Sequence, residues 1–100
     1  MISLEKYVVR NNDMVWRMVG NEAFIIDKDG TKIHQINRVG SEIWKISEGN
    51  LTIRKIIETI CNHFEITAEE AEKDSVQFIE NMLTQGLVTL TDTPVPALIP

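Results

Sequence analysis

Up to Ile36 the hydrophobic residues come in short runs of β-branched and aromatic types separated by turn residues. The run Met14-Val15-Trp16-Arg17-Met18-Val19 suits a pleated surface and predicts a strand. Gly20-Asn21 is a hairpin turn signal, and Ala23-Phe24-Ile25-Ile26-Asp27 reads as the second strand. Lys28-Asp29-Gly30 makes another tight turn, after which Thr31 to Ile36 reads as a third strand. Three short strands on short turns form a meander, about the minimum for a stable small sheet. The residues before it end in Asn11-Asn12-Asp13, a turn cluster, so 1–13 reads as an N-terminal segment.

After Asn37 the apolar positions recur at helical spacing. Asn37 can cap a helix whose apolar positions are Val39, Ile43, Trp44 and Ile46, stopped by Gly49-Asn50. Thr52 is the next N-cap, opening a helix with Ile53, Ile56, Ile57, Ile60, Cys61 and Phe64 on one face. Thr67-Ala68-Glu69-Glu70 matches a capping box at the head of a third helix, about Ala68 to Gln85, ended by Gly86. Ala71, Ser75, Phe78 and Met82 share one stripe of it, and Val76, Ile79 and Leu83 widen the apolar sector beyond what one packing seam needs. Leu87 to Leu90 reads as a short final extended piece, and the tail beyond Asp92 carries three prolines that disfavour helix. The expected fold is α+β: a three-stranded antiparallel meander followed by a three-helix, winged-helix-like bundle. It occupies 14–91, with a Pro-rich tail at 92–100 whose apolar residues could cover a strand edge or meet a second copy in a homodimer.

Composition narrows the function. One hundred residues with 43% hydrophobic content make one domain with a modest core. A net charge of −5 argues against a broad nucleic-acid surface. The third helix carries Lys73 alone against Glu69, Glu70, Glu72, Asp74 and Glu80, so phosphate would repel it where a recognition helix needs basic or amide side chains. A winged-helix DNA regulator and a dimeric structural adaptor remain as alternatives. The single cysteine allows no intramolecular disulfide, and no signal peptide or membrane-length apolar run appears, so the expected setting is cytoplasmic, with no membrane partner.

Catalytic readings fail. His34 and His63 are far apart, with no His-Glu-x-x-His or Cys-x-x-Cys, so no metal site is read. Cys61 on the apolar face of a helix reads as an inert thiol, and no phosphate loop or nucleophile elbow is present. No catalytic residue and no cofactor is expected. The carboxylates near the start of the third helix suit its dipole, and in a groove they would invite a basic segment of a partner.

Four motifs in order resemble one family. Ile36-Asn37-Arg38-Val39-Gly40-Ser41-Glu42-Ile43-Trp44 resembles the Leu-Asn-x-x-Gly-x-x-Ile-Trp signature of proteins similar to coenzyme PQQ synthesis protein D (PqqD). Thr52 to Ile57 is similar to its Thr-x-x-Glu-Ile/Leu helix opening, with Lys55 in place of the acid. Phe64 with Ala71 to Ile79 resembles its Phe…Asp-Val-x-x-Phe-Leu helix, and Leu83-Thr84-Gln85-Gly86-Leu87-Val88 its Leu-x-x-Gly-Leu-Val ending. The chain lacks the Arg-rich N-terminal stretch associated with the pyrroloquinoline-quinone members, and so looks more like the looser group serving other peptide pathways.

The resemblance implies a non-catalytic recognition element for ribosomally made, post-translationally modified peptides (RiPPs). Such a domain binds the leader of a precursor peptide and presents the core to a modifying enzyme, often a radical S-adenosylmethionine (radical SAM) enzyme, in PQQ or related RiPP biosynthesis. In the family the leader adds as a strand beside the third strand, in a cleft walled by the third helix. On this chain that implies Lys32, Ile33, His34 and Gln35 on the strand and Val76, Ile79 and Leu83 on the helix as peptide-binding positions. Exposed sheet edges bind extended peptides by main-chain hydrogen bonds, with side-chain pockets adding specificity.

Overall fold

A computed structural model of the chain describes residues 2–95. Its elements in chain order are β1 (Tyr7–Arg10), β2 (Val15–Val19), β3 (Glu22–Ile26), β4 (Ile33–Gln35), α1 (Arg38–Ile46), β5 (Glu48–Thr52), α2 (Ile53–Phe64), α3 (Ala68–Thr84) and β6 (Val88–Thr91). The meander is β2-β3-β4, antiparallel throughout, and the three helices follow where the periodicity places them. The architecture is therefore α+β with a winged-helix-like order of elements.

A second sheet, β5-β1-β6, is the part the hydrophobic pattern does not anticipate. Tyr7–Arg10, inside the segment read as a lead-in, is its central strand and pairs with both β5 and β6. Glu48–Thr52, where Gly49-Asn50 reads as a helix stop and Thr52 as an N-cap, is an edge strand: α1 ends at Ile46, and Gly49 adopts φ +88 inside β5. Residue 95 reaches back to this edge, where the Val95 N–H donates to the Gly49 carbonyl at 2.8 Å. The Pro-rich tail read for 92–100 thus begins by covering an edge; the expectations for 96–100 lie outside the described residues.

The core lies between the inner face of the meander, the three helices and the second sheet. Trp44, Ile25, Ile43, Ile53, Ile56, Ile60, Ile79, Met82 and Leu87 are its largest fully buried side chains. Helix ends follow the polar pattern. Asn37 Oδ1 accepts from the Gly40 N–H at 2.8 Å, Thr52 Oγ1 from Lys55 at 3.1 Å, and Thr67 Oγ1 from Glu70 at 3.1 Å. Of the expected capping box, only this hydroxyl half is formed among the contacts of the described residues. Two further N–H groups at the head of α2, on Ile53 and Arg54, donate to the Lys6 and Leu4 carbonyls, so the lead-in to β1 caps the helix.

The junction from β4 to α1 is closed by two small residues. Ser41 is fully buried; its Oγ accepts from the Ala23 N–H at 2.7 Å and donates to the Ile36 carbonyl at 3.0 Å. Because the Ile36 N–H still donates to the Ala23 carbonyl, the hydroxyl is inserted into what would have been the next rung of the ladder, just where β4 peels away from β3. Gly40 sits so close to α3 that a Cβ would fall 2.5 Å from Phe78 Cε1 and 2.8 Å from Ile36 Cγ2. We predict that Gly40→Ala forces the Phe78 ring aside at a cost of about 1–3 kcal/mol, and that Ser41→Ala leaves two backbone groups unpaired at about 1–3 kcal/mol. Urea denaturation should register both as lowered midpoints, and a midpoint like that of wild type for either would contradict its assigned role.

Candidate functional site

β4 forms one edge of the meander, and the direction of its hydrogen bonds follows from register. The antiparallel pairs are Phe24 with Gln35, Ile25 with His34 and Ile26 with Ile33. The Ile36 N–H donates to Ala23 and the Lys32 carbonyl accepts from Asp27, so residues 32, 34 and 36 turn their backbone groups toward β3. Alternation then aims the N–H and C=O of Ile33 and Gln35 away from the sheet, and neither residue has another backbone partner among the described residues. Four main-chain groups stand open along one short edge.

A pocket of about 300 Å³ lies beyond the end of this strand, lined by Asn37, Val39 and Gly40 from the start of α1 and by Asp74, Gln77, Phe78 and Asn81 from α3. These α3 positions follow i, i+3, i+4, i+7 spacing and share one flank of the helix. Phe78 and Val39 are half-buried and provide an apolar floor, while Asp74 and the amides of Asn37, Gln77 and Asn81 supply the rim. The four ion pairs among the described residues, Lys6–Asp92, Lys45–Glu42, Arg54–Glu5 and Lys55–Glu58, leave the Asp74 carboxylate out.

The helix wall expected from sequence is therefore corrected. Ile79 is 1% exposed and belongs to the core. Val76 lines a different pocket, of about 290 Å³, with Ile2, Leu4, Glu72, Lys73, Gln77 and Glu80. Leu83, seven residues on from Val76, projects along the same flank and packs partly buried against the core. The physical reason is that α3 is wedged among α2, β6 and α1, so Ile79 is taken into the core, Val76 turns toward Ile2 and Leu4, and the flank left facing α1 carries polar residues around Phe78. The strand expectations fare differently: Lys32, Ile33 and Gln35 are exposed and His34 is half-buried on the inner face beside Ile25. Asp74, Gln77, Phe78 and Asn81 carried a legible signal, a polar i, i+3, i+7 set around one aromatic, but polar helix faces ordinarily read as solvated.

The loop before β4 is held by one carboxylate. Asp27 Oδ1 accepts from the N–H groups of Thr31 at 3.0 Å and Lys32 at 3.2 Å, and the Asp27 carbonyl accepts from Gly30 at 2.9 Å. Desolvation pushes the Asp27 pKa up, but the hydrogen bonds from Lys32 and Thr31 and the charge of Lys32 outweigh it and leave the pKa below the ordinary aspartate range. On β1, burial draws the Arg10 pKa down while Glu48 opposes the shift.

The meander's other edge, β2, lies near a smaller pocket of about 180 Å³, lined by Met18, Gly20, Asn21, Arg38, Glu42, Lys45, His63 and Phe64. Its charges are mixed and internally paired: Lys45 meets Glu42 at 3.2 Å, and the Arg38 guanidinium lies 5.1 Å over the Phe64 ring. Cys61 is half-buried, its Sγ donating to the Ile66 carbonyl at 3.1 Å, so the thiol closes the turn between α2 and α3. Among the described residues no group of three His, Cys, Asp or Glu is placed to hold a metal ion, and no helix is long and apolar enough to cross a membrane.

An α+β domain with an open strand edge beside a helix-walled pocket is what fold and site define. Residues 22–88 match the family model for coenzyme PQQ synthesis protein D (PqqD), and the chain belongs to that family. A solved structure of similar fold is that of TbiB1 in complex with the TbiA(beta) leader peptide, with a TM-score of 0.72 at 19% identity over 80% of this chain and 93% of that one. No curated protein matches the chain.

Because the depressed Asp27 pKa stabilises the folded loop above the pKa of an unfolded aspartate, that contribution should fade as pH falls through the folded value. In NMR titrations the Thr31 and Lys32 amides should shift together and lose exchange protection with one midpoint below the ordinary aspartate range. A midpoint at or above that range would overturn the assignment.

Proposed function

We propose that this protein is a non-catalytic carrier that binds the leader of a ribosomally made precursor peptide as an added strand on β4. The observation that carries this is the open edge of Ile33 and Gln35 ending at the pocket floored by Phe78 and Val39. An extended peptide there would accept hydrogen bonds from the N–H groups of Ile33 and Gln35 and donate to their carbonyls, while its inward side chains meet α1 and α3. Lys32 and His34 would flank the bound strand. Family membership supports the reading, as does the leader peptide held by TbiB1 in the solved complex of similar fold. The bound precursor would be presented to a modifying enzyme. A radical SAM enzyme is the partner class the resemblance suggests, in PQQ or a related RiPP pathway within the cytoplasm. The five carboxylates of α3 disfavour duplex DNA as the occupant.

Two variants test the mode. Ile33→Pro removes the outward N–H while sparing the inward bonds of residues 32, 34 and 36, and edge strands tolerate proline. It should leave the melting temperature within a few degrees and weaken a leader encoded beside this gene about 5- to 10-fold or more by isothermal titration, the worth of about one hydrogen bond plus the ring's obstruction of the incoming strand. Phe78→Ala should abolish measurable binding. A precursor from the gene neighbourhood that binds both variants as it binds wild type would refute strand addition at β4, and the absence of any binding precursor would refute the carrier role. Ile79→Glu should simply unfold the domain, since it puts a charge in the core.

A further inference from the structure

The outer face of the meander is as informative as the groove. Register aligns Val15, Ile26 and Ile33 in one row and Arg17, Phe24 and Gln35 in the next. Val15 is 66% exposed, Val19 58% and Ile33 68%, and neither Phe24 nor Ile26 joins the core cluster. The apolar row therefore runs straight to the open edge of β4 and stops there. On the opposite, inner face, the next position along the edge is Ile36, whose Cγ2 shares the tight contact of Gly40 with Phe78 at the mouth of the pocket.

Resting on the carrier reading, we infer that the recognised segment is a strand with a basic residue three positions before a β-branched one, Lys/Arg-x-x-Val/Ile. The meander is antiparallel throughout, and antiparallel pairing is the more stable per residue, so the peptide runs opposite to β4. The residue opposite Ile33 then shares its face, extends the Val15–Ile26–Ile33 row and gains cross-strand contact best made by a β-branched side chain. The residue opposite Ile36 comes three positions earlier and points inward. Its stem lies along Phe78 and Val39 and its charge reaches the Asp74 carboxylate, which is half-buried and outside every ion pair among the described residues. A long aliphatic stem ending in a cation fits an apolar floor with an acidic rim, and the ring face adds a cation–π contribution. The single Lys and five carboxylates of α3 set the same sign of potential over the pocket.

The test is selection of a randomised octapeptide display library on the full chain, wild type and Asp74→Lys, with circular dichroism establishing that the variant folds. Wild type should enrich Lys or Arg three positions before Val or Ile. Asp74→Lys should enrich Glu or Asp at that basic position and keep the β-branched one. Fluorescence anisotropy on one enriched peptide should show at least a 10-fold loss when its basic residue becomes Glu, with most of the loss restored on Asp74→Lys. Peptides enriched without a charge preference, enriched identically on both proteins, or not enriched at all would overturn the inference. A leader from the gene neighbourhood that binds wild type and Asp74→Lys equally would overturn it too, while leaving the carrier role standing.

Discussion

The domain is organised by the close approach of α1 to α3 at Gly40. With a side chain excluded there, Phe78 and Ile36 press against bare backbone, and three elements meet at one point: the end of β4, the first turn of α1 and the middle of α3. The Asn37 cap and the Ser41 hydroxyl then fix the angle at which the chain leaves the sheet, the first by holding the Gly40 N–H in the first turn of α1 and the second by bonding Ala23 of β3 and the Ile36 carbonyl. A larger residue at 40 or an apolar one at 41 would not just cost stability. It would move the helix that forms one wall of the groove relative to the strand that forms its edge.

The same segment ends by locking the two sheets together. Trp44 is fully buried and meets Trp16 of β2 edge to face, with ring centroids 5.9 Å apart. Arg10 of β1 lies 5.1 Å over Trp16, and its Nη1 donates to the carbonyls of Trp44 at 2.9 Å and Lys45 at 2.6 Å. A cation at the C-terminal end of α1 satisfies carbonyls the helix cannot, opposes the negative end of the dipole and covers the indoles from the side of the second sheet. Burying Trp44 leaves its Nε1 without a hydrogen-bond partner among the described residues. That costs about 1–3 kcal/mol, set against a large apolar burial and an aromatic pair contributing about 0.5–1.5 kcal/mol beyond area.

What could be read from the chain depended on whether a partner is near in sequence. The β2–β3–β4 meander was legible because each strand pairs with its neighbour across a turn spelled by Gly20-Asn21 or Asp29-Gly30, and the three helices were legible from spacing and caps. β1 and β5 were not. Tyr7-Val8-Val9 favours a strand, but its partners lie at Glu48 to Thr52 and Val88 to Thr91, and Glu-Gly-Asn-Leu-Thr has no β-branched run to announce itself. The site divided along the same line. Residues 32–35 were legible as an edge strand because that follows from local order, whereas which flank of α3 lies beside the edge is set by long-range packing. An apolar sector wider than one seam suggested a spare binding face beside the strand; packing buries Ile79 in the core and turns Val76 toward Ile2 and Leu4 instead.

The shortness of β4 decides how such an edge can discriminate. At three residues, preceded by the exposed Lys32 and ended by the Asn37 cap, it is too brief to template a second sheet, one of the ways proteins keep edges from aggregating. It is also too brief to bind tightly through main chain alone. Four open groups, at a net of about 0.5–1.5 kcal/mol each, fall short of the roughly 8 kcal/mol that micromolar affinity requires, before the entropy of association is counted. Side chains must supply the difference. Burying about 100–200 Å² of apolar surface over Phe78, Val39 and the Ile33 row would add roughly 2–5 kcal/mol. For a peptide added to an edge this short, recognition would have to be sequence-specific: a strand of the wrong side chains would gain too little from pairing to stay.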